Sequence, residues 1–355
     1  MKQPLPILLF ILFCSFIGEA QTTKYSNEFM NIGVDARAFG MANAVVANTN
    51  DVNSGYWNPA GLIHLEDKQI SLMHASYFAN IAQYDYAGFA MPLDNYSAFG
   101  VSFIRFGVDD IMNTTQLIDA QGNIDYDRIT YFSAADYGVM FSYTRTPLTN
   151  DHLSYGGSAK VIRRVIGDFA SSWGFGFDVG IQYQKNDWSI GVVVKDITTT
   201  YNTWQIDEDV FDGVSNQIPE QDIPETTEIT LPKAQLGVSK LFKFHYDYSL
   251  LAEVDLNMRF AQTNDIVSTE AVSFTPAVGF EFAFRKMVFA RAGVGNFQNE
   301  LQLDNSEQVS FQPNIGVGFR YKGIQLDYAL TDIGDQSAAI YSNVFSLKLD
   351  WNLFR

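Results

Sequence analysis

The sequence predicts an all-β chain: a 14-stranded antiparallel transmembrane β-barrel with a small N-terminal plug. Three observations carry that prediction. Segment after segment alternates apolar and polar residues with a period of two. The apolar faces begin and end in aromatic residues, and short turns alternate with long polar connections. These features also account for the composition. The 355 residues are 47% hydrophobic and 15% aromatic, yet mean hydropathy is only −0.05. Something must interleave the Phe and Tyr with polar residues.

The balance of 23 Lys and Arg against 40 Asp and Glu gives a net charge of −17. That excludes a general nucleic-acid binder, which needs a basic footprint. The apolar content excludes a disordered chain. A single Cys excludes a disulfide scaffold and a Cys-rich metal site. Four His leave little for a His-rich metal site, and nothing in the sequence calls for a cofactor.

Residues 1–20 read as an export signal. Lys2 gives a basic start, Leu5 to Ile17 an apolar stretch, and Gly18-Glu19-Ala20 a small-residue cleavage site before Gln21. Removing them loses Lys2 and Glu19, so the charge is unchanged. Cys14 lies inside the apolar stretch after bulky Phe13, which argues against a lipid anchor.

Residues 21–68 have a different character from the body of the chain. Ala36, Ala38, Met41, Ala42, Ala44 and Val45 show no period of two, and Asn53 to Leu62 is turn chemistry built on Gly55, Asn58-Pro59 and Gly61. A segment rich in small residues ahead of a barrel is read as a lumen plug.

The body, 69–355, alternates. Phe175, Phe177, Val179, Ile181 and Tyr183 alternate with Gly174, Gly176, Asp178, Gly180 and Gln182. The same holds for Tyr246 to Phe260, Phe274 to Phe284 and Phe311 to Tyr321. Successive side chains of a strand point to opposite faces, so each segment has one apolar and one polar face. A soluble sandwich alternates too. These strands, however, often run about 11–15 residues, against the usual 5–6 of soluble strands, and a tilted crossing strand needs about 9–11. The expected strands are 69–79, 84–93, 97–107, 132–146, 153–166, 173–185, 187–197, 229–242, 245–260, 272–285, 287–297, 309–322, 323–331 and 341–354. Tight turns fall at Asp94-Asn95, Lys185-Asn186-Asp187, Arg285-Lys286 and Lys322-Gly323; long loops fall around 107–131, 198–230, 261–272, 297–309 and 332–340. An even strand count puts both barrel ends on the periplasmic side of an outer membrane. The last strand, Phe345 to Leu353 with terminal Phe354-Arg355, resembles the insertion signal of outer-membrane barrels. His74, Tyr84 and Tyr86 blur the first two strands.

The stretch Asp35-Ala36-Arg37-Ala38-Phe39-Gly40-Met41-Ala42, then Trp57-Asn58-Pro59-Ala60-Gly61-Leu62, then the fourteen-strand alternation, resembles the FadL-type barrel superfamily. Within it the chain is most similar to the PorV family of the type IX secretion system. Ala75 to Tyr86 and Arg105 to Ile111 add to that likeness. The resemblance implies a protein that binds secreted cargo through a C-terminal sorting domain, associates with the translocon barrel and hands cargo on at the cell surface. The FadL branch implies instead a channel for uptake of hydrophobic small molecules, with a hydrophobic ligand in the lumen. Asn58, Pro59 and Ala60 match the plug motif and are expected inside the barrel.

Loop 198–230 interleaves Trp204, Ile206, Val210 and Phe211 with Asp207, Glu208, Asp209 and Asp212. Aromatics among charges favour interfaces; Trp204, Asp207, Asp209 and Phe211 are the candidate partner-contact residues. The loop lacks the Gly and bidentate Glu of a calcium loop. The inward charges, among them Lys160, Arg164, Asp178, Lys195, Glu253, Asp255, Glu281, Arg285, Asp327 and Lys348, carry both signs, so ion pairs with each other and with the plug are expected. No His is flanked by a nucleophile or partner at informative spacing, so the reading is non-enzymatic. Lipid of the outer membrane is the expected surround.

Overall fold

Period-two segments bury one face by packing on a second sheet or by closing on themselves, and these close. The computed structural model describes residues 26–77, 80–118, 122–207, 227–301, 306–331 and 342–351. The proposed signal 1–20 and the terminal Phe354-Arg355 lie outside these residues. Seventeen strands form one sheet. Fourteen of them make the ring: β1 (Gln69–Tyr77), β2 (Ala82–Asp94), β3 (Ser97–Asn113), β4 (Thr130–Arg145), β5 (Leu153–Ile166), β6 (Ala170–Lys185), β7 (Trp188–Lys195), β10 (Lys233–His245), β11 (Tyr248–Arg259), β13 (Ser273–Phe284), β14 (Val288–Leu301), β15 (Glu307–Tyr321), β16 (Ile324–Thr331) and β17 (Ser342–Asp350). Neighbours pair antiparallel, and β17 returns to β1 with Leu347 opposite Leu72. Closure removes every edge, which a sheet surrounded by lipid requires. Among the described residues no helix is long and apolar enough to cross a membrane.

Three short strands lie beyond the ring at its long-loop end: β8 (Thr200–Ile206), β9 (Thr227–Thr230) and β12 (Val267–Ser268). They revise two of the expected loops. The stretch 198–230 begins and ends in strands, because β7 stops at Lys195 and leaves Ala170–Phe175 of β6 free to pair with β8. The stretch 107–131 is also shorter as a loop, since β3 runs on to Asn113. A register shift between Val108 and Ile111 marks the place where the expected strand stopped.

Alternation sorts the two faces. Phe175 (59% exposed), Phe177, Val254, Phe319 and Phe345 point outward, while Ser102, Ser142, Ser158, Asp178 and Lys348 point inward and are buried. Arg285 departs from the expected inward set: it sits in the turn after β13 with φ 53° and pairs with Asp247.

The core lies inside the ring, between its inner face and residues 26–65. Val34, Met41, Val45, Tyr56 and Trp57 pack with inward-facing Tyr84, Tyr86, Ile104, Met140 and Ile162. Nearer the short-turn end, Val52, Leu62 and Leu65 pack with Ala90 and Ala98. The N-terminal segment is a chain of single turns, as its small and turn-forming residues dictate. Asp35 caps Ala36–Gly40 by accepting from the Arg37 amide at 3.2 Å. Pro59 opens the 3-10 turn Pro59–His64, where its fixed φ costs nothing.

Candidate functional site

Around that core the inner face and the N-terminal segment also meet through polar contacts. Asn58 shows how they are built. Its extended backbone precedes Pro59, as proline requires of its neighbour. Its Oδ1 accepts from the Ala60 amide at 3.2 Å, and its Nδ2 donates to the Val46 carbonyl and to the Ile181 carbonyl on β6, both at 3.1 Å. The Ala60 carbonyl accepts from the Thr144 hydroxyl on β4. The wall makes room: a Cβ on Gly180 would lie 2.1 Å from Asn58 Oδ1, and one on Gly191 would lie 2.3 Å from the Val46 carbonyl oxygen. Asn58, Pro59 and Ala60 are thus all buried inside the ring.

Charges reinforce this contact in three places. Arg37 Nε pairs with Glu281 at 2.8 Å; Glu281 also binds Arg291 at 2.7 Å, which binds Asp327 at 2.6 Å. Lys348 on β17 pairs with Asp51 and, at 3.5 Å, with Asp35. Glu253 and Asp255 on β11 accept from the backbone amides of Ala47, Val45 and Val46 at 2.6–3.1 Å. Burial opposes every one of these charges, and at Arg37 and Asp51 pairing outweighs it. Burial works against the Arg37 guanidinium, but the Glu281 carboxylate outweighs it and raises its pKa. Burial likewise opposes ionised Asp51, but Lys348 outweighs it and holds the carboxyl below its ordinary range. Among the described residues no carboxylate pairs with His64: burial lowers its pKa, only partly offset by its hydrogen bond to Gln182.

At the long-loop end, above the N-terminal segment, lies a cavity of about 330 Å³. Tyr56 and Trp57 form part of its floor, and Lys195, Lys233 and Arg259 line its wall. Beside it, Lys160 bridges Asp178 (2.8 Å) and Asp196 (2.7 Å).

Two of the four candidate contact residues lie in or just after β8. Trp204 lies in β8 with the Arg164 guanidinium 5.0 Å above its ring, half-buried on the inner side. Asp207 is exposed at the end of β8; Asp209 and Phe211 lie outside the described residues.

The outer face carries polar residues that sequence reasoning missed. His74 on β1, Asp85 on β2 and Arg105 on β3 stand opposite one another in register and point outward. His74 Nδ1 lies 2.7 Å from Asp85, and Arg105 lies 3.5 Å from Asp85 and 3.6 Å from Asp109. Tyr84 and Tyr86 face inward instead, 0% and 2% exposed. The usual chemistry of the two faces is exchanged here, which is why β1 and β2 read poorly. The exchanged parity at His74, Tyr84, Asp85 and Tyr86 was itself the signal. On β3 the outward apolar run is Phe99, Val101 and Phe103, roughly 13 Å along the strand; on β11 it is Tyr248 to Met258, roughly 33 Å at ~3.3 Å per residue.

Solved structures share this fold. The toluene transporter TbuX of Ralstonia pickettii superposes with a TM-score of 0.53 at 12% identity, covering 90% of this chain and 98% of the transporter. A FadL homologue of Pseudomonas aeruginosa gives 0.52 at 13% identity, with 90% and 98% covered. The toluene transporter TodX of P. putida gives 0.55 at 10% identity, with 90% and 99% covered. At such identities the likeness speaks for the fold alone. No curated protein matches in sequence. The family model of the type IX secretion system protein PorV matches residues 18–199, more than half of the chain. With a closed fourteen-strand barrel of FadL type around it, that match identifies the chain as a member of the PorV family.

Proposed function

We propose that this barrel serves a type IX secretion system in the outer membrane by binding secreted cargo through its C-terminal sorting domain, or the translocon, and handing cargo on at the cell surface. One observation carries the reading beyond the family match: the N-terminal segment is tied to the wall by buried ion pairs and by backbone hydrogen bonds to Glu253 and Asp255. A lumen held shut in this way directs function to the surfaces. On this reading residues 21–68 act as the plug, with Asn58, Pro59 and Ala60 its wall-contacting motif. The loop-end residues Trp204, Asp207, Asp209 and Phe211 serve partner contact, and the His74–Asp85–Arg105 row offers polar contacts in the membrane plane. Nothing in the mechanism requires catalysis. The test is affinity purification of the tagged protein from detergent-solubilised outer membranes with mass spectrometry of what accompanies it. A very large barrel, or several proteins sharing a C-terminal domain, is the expected result. Retained hydrophobic small molecules without a protein partner would overturn it in favour of an uptake channel. The fold likeness to the toluene transporters is what supports that second reading.

A further inference from the structure

We propose that the cavity at the long-loop end binds a small hydroxylated organic anion, its carboxylate or phosphate held by Lys195. The inference rests on the cavity alone and does not depend on the cargo reading. In a chain of net charge −17, no Asp or Glu is among the described residues that line this cavity. Three cations line it, and they are not equivalent. Lys233 pairs with Glu28 at 3.2 Å, and Arg259 with Asp265 at 3.9 Å. Lys195 is more than nine-tenths buried and has no ion pair or hydrogen bond among the described residues. Its ammonium rests 4.2 Å from the ring centre of Tyr56 and 5.3 Å from that of Trp57. Ring faces hold a cation in place without using its N–H donors. The nearby carboxylates Asp178 and Asp196 both give an oxygen to Lys160; they offset the charge of Lys195 at longer range but do not occupy its donors.

The rest of the wall says what the anion is attached to. Its uncharged polar side chains are mostly carboxamides, including Asn31, Asn43, Gln235, Asn257, Asn296 and Gln312. The carboxamides at its surface offer both donors and acceptors to a ligand that carries hydroxyls. Such a wall favours a compact polar body over an alkyl chain, and the volume fits one sugar-sized molecule.

The test is isothermal titration of the full chain in detergent micelles with three probes of one size: glucuronate, glucose 1-phosphate and neutral glucose. At least one of the two anions is expected to bind at least tenfold more tightly than glucose, and the tighter arm assigns the charged group as carboxylate or phosphate. Lys195→Gln is expected to weaken that anion at least tenfold, Lys195→Arg to keep it within threefold, and Lys243→Gln at the short-turn end of β10 to leave it unchanged. Anions that bind no better than glucose overturn the proposal, as does a Lys195→Gln protein that shows the folded, heat-modifiable gel band and binds as the parent does. Should Lys195→Gln not fold, the comparison of anions with glucose on the parent decides.

Discussion

Single side chains hold the N-terminal segment, so single substitutions report on it. Lys348 is the cation for both Asp35 and Asp51. Lys348→Met leaves two buried carboxylates without it, and removing one partner of a buried pair costs about 3–5 kcal/mol. The temperature at which the folded gel band converts to the unfolded one is expected to fall clearly. Adding Asp51→Asn should recover part of the loss, since the coupled sites are not additive. His64 makes a pH prediction. Its folded pKa lies below the ordinary value of about 6.5, so folding favours the neutral ring. Its contribution is complete above that value and is lost as the pH falls from there through the folded pKa. Thermal midpoints taken from pH 7.5 to 5.5 should therefore decline more steeply for the parent than for His64→Gln; parallel curves would count against burial of the neutral ring.

Elements differ in how readily the sequence declares them. The ring strands were legible because a period of two is imposed by one lipid-facing and one lumen-facing side, and strands such as β6 and β15 fall within a few residues of their expected limits. The extra strands β8 and β9 were not legible, because their pairing arises from β7 being shorter than β6, a relation between elements rather than a pattern within one. For the candidate site, the position of Asn58-Pro59-Ala60 inside the ring was expected from the resemblance to FadL-type barrels, while turn chemistry marked only the segment around it. Its partners were not, since they are a hydroxyl, a carbonyl and two glycines spread over β4, β5 and β6. Wall glycines support a further prediction. A Cβ on Gly293 would stand 2.4 Å from the Met41 carbonyl carbon. Gly293→Val should therefore displace the N-terminal segment while the ring persists: far-UV circular dichroism unchanged, and protease cleavage within residues 26–65 appearing where the parent resists.

As a whole molecule the barrel is lopsided. Its outer apolar band is tall on the β11 side and short on β1 to β3, where the His74–Asp85–Arg105 row interrupts it. An outer-membrane barrel ordinarily shows lipid a band about 25 Å tall, so the short side is the one a protein neighbour would cover. Asp85→Leu combined with Arg105→Leu extends the apolar band. It should preserve the folded gel band while reducing recovery of any large membrane partner, whereas unchanged recovery would place that contact elsewhere. The ring also has a seam, and its chemistry bears on the order of assembly. The strand that completes the circle, β17, carries the lysine whose counter-charges Asp35 and Asp51 sit near the other end of the chain. If β17 zips onto β1 before the first turns are seated, Lys348 is sealed against an empty interior. Seated turns supply its counter-ions as the seam closes. The closing strand is therefore expected to favour a finished barrel only after the interior has been filled.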